Sequence, residues 1–250
     1  MFKRSPKFNV CLLLLSLLAI LSCDSDRHSV ALSDQEYFPL LMGLFWTYNV
    51  EESHYTPYNV EEKFNYQIQT IVTDSFQNAA ADYTYILSRS KRATENDDWL
   101  SLDTWTIRKN DQEVIITESN IPFVRLTFPV RENREWNANR YNDEESSDNC
   151  EDIDFASCDL FSYNAVKPYQ LSNGLTFDAT VEVKENEFMD IFTRQDIRLS
   201  VYAKDVGLIH RELTKLEYCT STSSGVDCFG KQLIEGGTIM KLELIDYGRQ

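Results

Sequence analysis

The chain has 250 residues, carries 24 Lys and Arg against 40 Asp and Glu, and has a formal net charge of −16. Such an acidic surface argues against nucleic acid and against anionic lipid headgroups as partners. Hydrophobic residues make up 42% of the sequence and aromatic residues 12%, which is ample for one packed core.

The first 22 residues have the pattern of a bacterial lipoprotein signal. Three Lys or Arg residues precede an apolar run over residues 10–21, which is too short to cross a bilayer. The run ends in Leu21-Ser22-Cys23, which resembles a lipobox, although Leu21 is bulky for its position. We therefore predict a signal over residues 1–22 and lipidation of Cys23, with an ordinary secretory signal as the alternative.

A polar tether over residues 23–35 follows the signal. Asp24 and Asp26 resemble the acidic export signals that direct lipoproteins to the cell surface in Bacteroidota. The sequence thus predicts a protein of the bacterial outer membrane that is anchored through lipidated Cys23. The cell surface is favoured over the periplasmic face.

Residues 36–250 show two-residue alternation, which predicts a single antiparallel β domain. In KFNYQIQTIV, Phe64, Tyr66 and Ile68 share one face and polar residues share the other. In TWTIRKNDQEVIIT two β-rich runs flank Lys-Asn-Asp-Gln, so residues 104–117 are predicted to form a hairpin. No strong helical stripe occurs.

The later part of the chain continues with long alternating runs. Turns are predicted at residues 185–187 and 205–207. Roughly ten strands with short links indicate a mainly β fold, an antiparallel meander curled into an open or half barrel, with a β-sandwich as the alternative. His54 is expected in a loop, and His210 in a strand as a structural or surface residue.

Two segments echo each other. FPLLMGLFW begins at Phe38 and FPVRENREW begins at Phe128, and each has Trp eight positions after Phe. Proline ends one extended segment and Trp anchors the next in the core. Chance or shared turn chemistry explains the echo more simply than duplication.

The acidic segment 142–160 lacks alternation and is predicted to be a surface loop. It contains Cys150 and Cys158, while Cys219 and Cys228 flank a second polar loop, so the favoured disulfides are 150–158 and 219–228. Zinc is disfavoured because neither pair has CxxC spacing and no histidine lies close by. A weaker hypothesis is calcium bound by the loop carboxylates Asp148, Glu151, Asp152 and Asp154.

Reaction motifs do not occur in the sequence, which lacks GxSxG, HExxH, a phosphate loop and GxGxxG. We therefore predict no catalytic residue and no cofactor. The leading interpretation is a non-enzymatic, lipid-anchored binding or assembly subunit, which would serve an outer-membrane protein partner. One alternative is a lipid- or glycan-binding half-barrel, which a large apolar cavity would favour. The other is a hydrolase that acts through two carboxylates.

Four stretches resemble a family of Bacteroidota outer-membrane lipoproteins that has no assigned activity. They are YFPLLMGLFWTYNV, DYTYILSRSKR with DDWLSLDTW, RLTFPVRENREWNANRYN and VYAKDVGLIHRE. The family carries a YFPL-x-x-G-x-x-W-x-Y opening, an FP…W-N-x-N centre and a YAK-x-VG ending. Asn133 stands near a position where the family often has glycine. The resemblance implies lineage and location and gives no mechanism. The last stretch also resembles strand joints in half-barrel lipoproteins that carry lipids.

Overall fold

The structure, a computed structural model, describes residues 34–57, 60–77, 83–142, 160–220 and 227–250. These ranges contain one short 3-10 helix, Asp34–Tyr37, and twelve strands. The strands are β1 (Leu44–Thr56), β2 (Val60–Gln77), β3 (Tyr83–Arg92), β4 (Leu100–Lys109), β5 (Glu113–Glu118), β6 (Ile121–Thr127), β7 (Glu135–Asn137), β8 (Leu160–Gln170), β9 (Thr176–Asp190), β10 (Arg194–Ala203), β11 (Gly207–Tyr218) and β12 (Ile234–Arg249). Within the same ranges, no helix is long and apolar enough to span a membrane.

All twelve strands belong to one antiparallel sheet, in the order β6-β5-β4-β3-β2-β1-β12-β11-β10-β9-β8-β7. The chain runs outward from the centre over β1–β6, crosses to the other edge, and returns inward over β7–β12. Pairing of β1 with β12 joins these two six-stranded meanders. The predicted antiparallel meander is confirmed, and a single sheet is not the arrangement of a sandwich.

The sheet curls until its edge strands, β6 and β7, lie close together. The backbone N–H of Val124 in β6 donates to the carbonyl of Ala138, just after β7, at 2.8 Å. The indole N–H of Trp136 in β7 donates to the carbonyl of Val124 at 2.9 Å. The sheet is therefore an open barrel that is nearly closed, and this seam protects both edges.

Alternation decides which side chains enter the barrel. In β2, Ile68, Thr70 and Val72 are buried, whereas the residues between them are only partly buried. Beside the seam the interior is filled by aromatic rings, with the centroids of Trp136 and Tyr163 only 4.7 Å apart. Such close packing leaves open space only farther from the seam.

The predicted turn at residues 185–187 is wrong. Strand β9 continues through it to Asp190, and the turn lies at residues 191–193. Glu185 is 1% exposed, so its polarity marks an interior ion pair rather than a turn. The turn expected at 205–207 is present, with positive φ at Asp205 and Gly207.

Other expectations about single elements have mixed outcomes. The hairpin over residues 104–117 is confirmed by the pairing of β4 with β5. Strands β7 and β8 have no counterpart in the predicted pattern. Strand β8 contains Pro168 and shifts register twice against β9, so its burial does not alternate cleanly. His54 lies in β1 rather than in a loop.

The cysteine predictions fall partly outside the described residues. Cys219 and Cys228 form a disulfide with their Cα atoms 5.8 Å apart, at the connection between β11 and β12. Cys23, Cys150 and Cys158 lie outside the described ranges, as do the four calcium candidates Asp148, Glu151, Asp152 and Asp154.

Candidate functional site

A cavity of about 330 Å³ lies inside the barrel, away from the filled region at the seam. Strands β1–β6 and β10–β12 all contribute side chains to its lining. In β2 these are Tyr66, Ile68 and Thr70, which share one face because the strand alternates. The volume lies near the lower end of the range for small-molecule sites.

Aromatic side chains form much of the wall. The indole N–H of Trp46 donates to the carbonyl of Val206 at 2.6 Å, and the hydroxyl of Tyr48 donates to the carbonyl of Leu208 at 3.0 Å. The hydroxyl of Tyr66 donates to the carboxylate of Glu52, which does not line the cavity. Because these polar atoms bind the protein itself, the rings present apolar surface to the cavity.

Charged side chains form the other part of the wall, with Arg125 buried and Glu118 and Arg211 half-buried. The guanidinium of Arg125 donates to Glu118 at 2.6 and 2.9 Å and to Glu185 at 3.3 Å. Arg211 donates to Glu185 at 2.9 Å, and Ser200 also donates to this carboxylate. The network connects β5 and β6 with β9, β10 and β11. These two groups of strands are distant in the strand order, and their side chains meet across the interior of the barrel.

The pKa shifts in this network follow from burial and pairing. Burial alone would raise the pKa of Glu185, but Arg211, Arg125 and the Ser200 hydroxyl lower it to about 2. Burial alone would lower the pKa of Arg125, but Glu118 and Glu185 raise it above its ordinary value. Both side chains are therefore charged at neutral pH.

Two cations on β3 extend the charged wall toward solvent. The guanidinium of Arg89 lies 3.6 Å from the ring centroid of Trp105 and pairs with Asp103 at 2.9 Å. The ammonium of Lys91 lies 3.5 Å from the ring centroid of Tyr66. Burial lowers the pKa of Arg89, and its carboxylate neighbours offset this only in part. Arg89 is thus a half-buried cation held between an aromatic ring and one carboxylate.

The cavity continues into a more open depression of about 600 Å³. The two share Tyr66, Lys91 and Leu102, and the depression also includes Phe64 and Leu100. Leu100 is 70% exposed and Phe64 is 40% exposed, so the mouth exposes apolar side chains to solvent. The depression also includes Lys63, Lys91 and Arg92, so its lining combines exposed apolar side chains with cations.

The aromatic residues of the sequence therefore serve in two places, since Trp136 packs in the core and Trp46 lines the cavity.

The sequence analysis did not identify the arginines that line the cavity. Strict alternation puts Leu208 and Arg211 on opposite faces, yet both line the cavity. The register of β11 against β10 shifts between Leu208 and His210, and this bulge turns Arg211 inward.

His210 has surroundings that suit the structural role expected for it. It is 2% exposed, its Nε2 lies 3.1 Å from Glu212, and its ring lies 5.5 Å from that of Tyr169.

The hydrolase alternative calls for a carboxylic acid with a raised pKa. Glu185 and Glu118 share Arg125, and the pKa of Glu185 is lowered, so this pair does not meet that condition.

The chain is similar in fold to solved structures, among them the following two. One is a predicted exported protein with a YmcC-like fold from Bacteroides fragilis NCTC 9343, with 11% identity, 85% of this chain and 98% of that chain covered, and a TM-score of 0.44. The other is a predicted lipoprotein from Parabacteroides distasonis ATCC 8503, with 10% identity, the same coverage and a TM-score of 0.37. No family model and no curated protein matches the chain.

Proposed function

We propose that this protein is a lipid-anchored, non-enzymatic envelope protein that binds a small amphiphilic molecule inside its barrel. The observation that carries the binding function is the cavity of about 330 Å³ with an aromatic wall. The wall favours a ligand with an apolar part over a glycan, because the polar atoms of Trp46 and Tyr48 already bind backbone carbonyls and present no partner to sugar hydroxyls.

The cavity mouth and the 3-10 helix lie at opposite ends of the barrel. Strand β4 begins at Leu100, on the rim of the cavity mouth, and ends at Lys109. The ammonium of Lys109 donates to the carbonyl of Gln35 at 2.7 Å, so the 3-10 helix packs at the far end of the barrel.

Retention of a native ligand tests the binding function. The full chain is tagged beyond Gln250, purified from membranes in mild detergent, and extracted for mass spectrometry of small molecules. Met240 lines the cavity, so Met240→Trp should place an indole ring in it and strongly reduce retention. The matched control is Met189→Trp, because Met189 is exposed and does not line the cavity.

Wild type and the control should retain the same compound in near-stoichiometric amount. Equal retention by Met240→Trp would contradict binding inside the barrel. A stoichiometric membrane protein recovered without any small molecule would favour the assembly role instead.

Replacement of the predicted lipidation site tests the anchor. Cys23→Ser removes the thiol that would carry the acyl chains, so the protein should leave the membrane fraction and lose incorporation of labelled palmitate. Unchanged membrane association and labelling would overturn the lipoprotein assignment and leave the binding function untouched.

A further inference from the structure

We propose that the ligand is a single-chain or single-ring amphiphilic monoanion, whose acid group pairs with the guanidiniums of Arg89 and Arg211 while its apolar part lies on the aromatic wall. This inference rests on the proposed binding function and adds the charge and size of the ligand. It follows from the distribution of charge around the cavity, the hydrogen-bonding state of Arg211 and the volume available.

The cavity surface is cationic although the whole chain is strongly acidic. Among the described side chains that line it, the charged ones are a single carboxylate, Glu118, and four cations, Arg89, Lys91, Arg125 and Arg211. The carboxylates that pair with Arg89 and Arg211, Asp103 and Glu185, do not line the cavity. An anion inside the cavity would therefore meet the cations first.

Two of these guanidiniums have unused capacity. The Nε–H of Arg211 is buried and has no hydrogen-bond partner among the described residues. A guanidinium carries five N–H donors, and a buried donor without a partner costs free energy. Arg89 donates through one terminal nitrogen, Nη1, to Asp103. An acid group placed between the two arginines would supply acceptors to both, with charge-assisted hydrogen bonds.

Arg125 is a different case. Its three nitrogens already contact Glu118 and Glu185, and these carboxylates raise its pKa. We therefore assign it to the structural network that holds the strands together. The acid group is expected at Arg89 and Arg211, whose guanidiniums have N–H donors that the protein's own acceptors do not use.

The volume limits the ligand further. A cavity of about 330 Å³ suits one acyl chain of moderate length or one ring system. The adjoining depression, with Leu100 and Phe64 on its rim, gives room for an apolar tail to extend toward solvent. A two-chain phospholipid would leave much of its apolar surface outside the protein.

A matched pair of probes tests this inference. The full chain is reconstituted in phosphatidylcholine vesicles and titrated with ω-bromoundecanoate or with ω-bromoundecanol, which differ in charge and share the same chain. Bromine quenches tryptophan on contact, and Trp46 and Trp105 line the cavity. At neutral pH the acid should bind about tenfold more tightly than the alcohol, because hydrogen bonds to a charged group are stronger than neutral ones.

Two arginine variants test which side chains bind the acid group of the probe. Arg89→Gln and Arg211→Gln should each bring the two affinities together by weakening the acid and sparing the alcohol. Arg89→Gln is the variant less expected to disturb folding. The partner of Arg89, Asp103, is solvent-accessible, and the ion pairs of Glu185 with Arg125 and Arg211 remain intact. The matched control is Arg194→Gln, because Arg194 also stacks on an aromatic ring but does not line the cavity.

The outcomes separate the two proposals. Saturable quenching with equal affinity for acid and alcohol would overturn the monoanion and leave the binding function standing. No saturable quenching by either probe would contradict the binding function itself. An equal loss of both probes in the two variants would show that these arginines support the fold and do not hold the acid group.

Discussion

Glu185 illustrates how single residues hold the barrel together. Its carboxylate binds Arg125 on β6, Arg211 on β11 and Ser200 on β10. A buried charge is costly to place inside a protein and is tolerated when it is paired and hydrogen-bonded. Removal of the carboxylate would leave one buried and one half-buried guanidinium with too little negative charge around them.

Substitution of Glu185 by Gln should therefore destabilise the protein strongly. We expect Glu185→Gln to lower the free energy of unfolding by roughly 3 kcal/mol, which is typical when one partner of a buried ion pair is removed. Urea unfolding followed by tryptophan fluorescence measures the loss. The control, Glu187→Gln, changes a carboxylate two positions away whose side chain is 67% exposed, and it should cost less than about 1 kcal/mol. Equal effects of the two variants would show that the network contributes no special stability.

The same carboxylate should make stability depend on acid pH. The pKa of Glu185 is about 2 in the folded protein against an ordinary value of 4.5, so the folded state binds fewer protons between these values. Its contribution, on the order of 3 kcal/mol, is present above pH 4.5 and is lost as pH falls toward 2. Unfolding free energies measured through this window should fall more steeply for wild type than for Glu185→Gln. Parallel curves would contradict the lowered pKa.

At the scale of elements, alternation predicts strands well where the interior side is apolar. It identifies the inward face of β2 from Tyr66 and Ile68, and both line the cavity. It fails in β9, where inward Glu185 looks like a turn residue, and in β11, where a bulge reverses the pattern before Arg211. The ion pair of Arg125 and Glu185 joins positions 60 apart, and only the three-dimensional fold brings such residues together.

The close approach of β11 and β12 gives a prediction at this scale. Gly237 has φ of +131°, and a Cβ there would lie 2.1 Å from the carbonyl oxygen of Lys215. Because backbone atoms cannot move aside cheaply, Gly237→Ala should destabilise the protein by about 3 kcal/mol. Thermal and urea unfolding measure the loss.

The control for this prediction separates the clash from the backbone strain. Gly174 also has a positive φ, +91°, but a Cβ there would meet nothing within 4 Å. Gly174→Ala should therefore cost only about 1 kcal/mol, the penalty of a side chain in that conformation. A similar loss in the two variants would mean that strain alone decides and that the β11–β12 approach is adaptable.

At the scale of the whole molecule, the echo in the sequence has a structural counterpart. Phe38 and Phe128 each precede the first strand of a six-stranded meander, and Trp46 and Trp136 lie in those strands. The ring of Phe38 packs against Tyr202 in the second meander, 6.1 Å between centroids. The N–H of Phe128 donates to a carbonyl in the β4–β5 turn of the first meander. Each Phe-Pro segment thus links the start of one meander to the other.

Closure of the barrel at the seam of β6 and β7 gives the last prediction. The indole N–H of Trp136 holds the carbonyl of Val124, whose own N–H donates to Ala138. Trp136→Phe keeps an aromatic ring in the core and removes this hydrogen bond, worth about 1 kcal/mol. Amide exchange at Val124 should then accelerate about fivefold relative to the central strands. Trp99→Phe, at the distant β3–β4 turn, should leave that amide unchanged. If the amide of Val124 stays protected in Trp136→Phe, the packing of the rings alone holds the two edge strands together. Closure of the barrel would then depend on the filled core beside the seam rather than on hydrogen bonds across it.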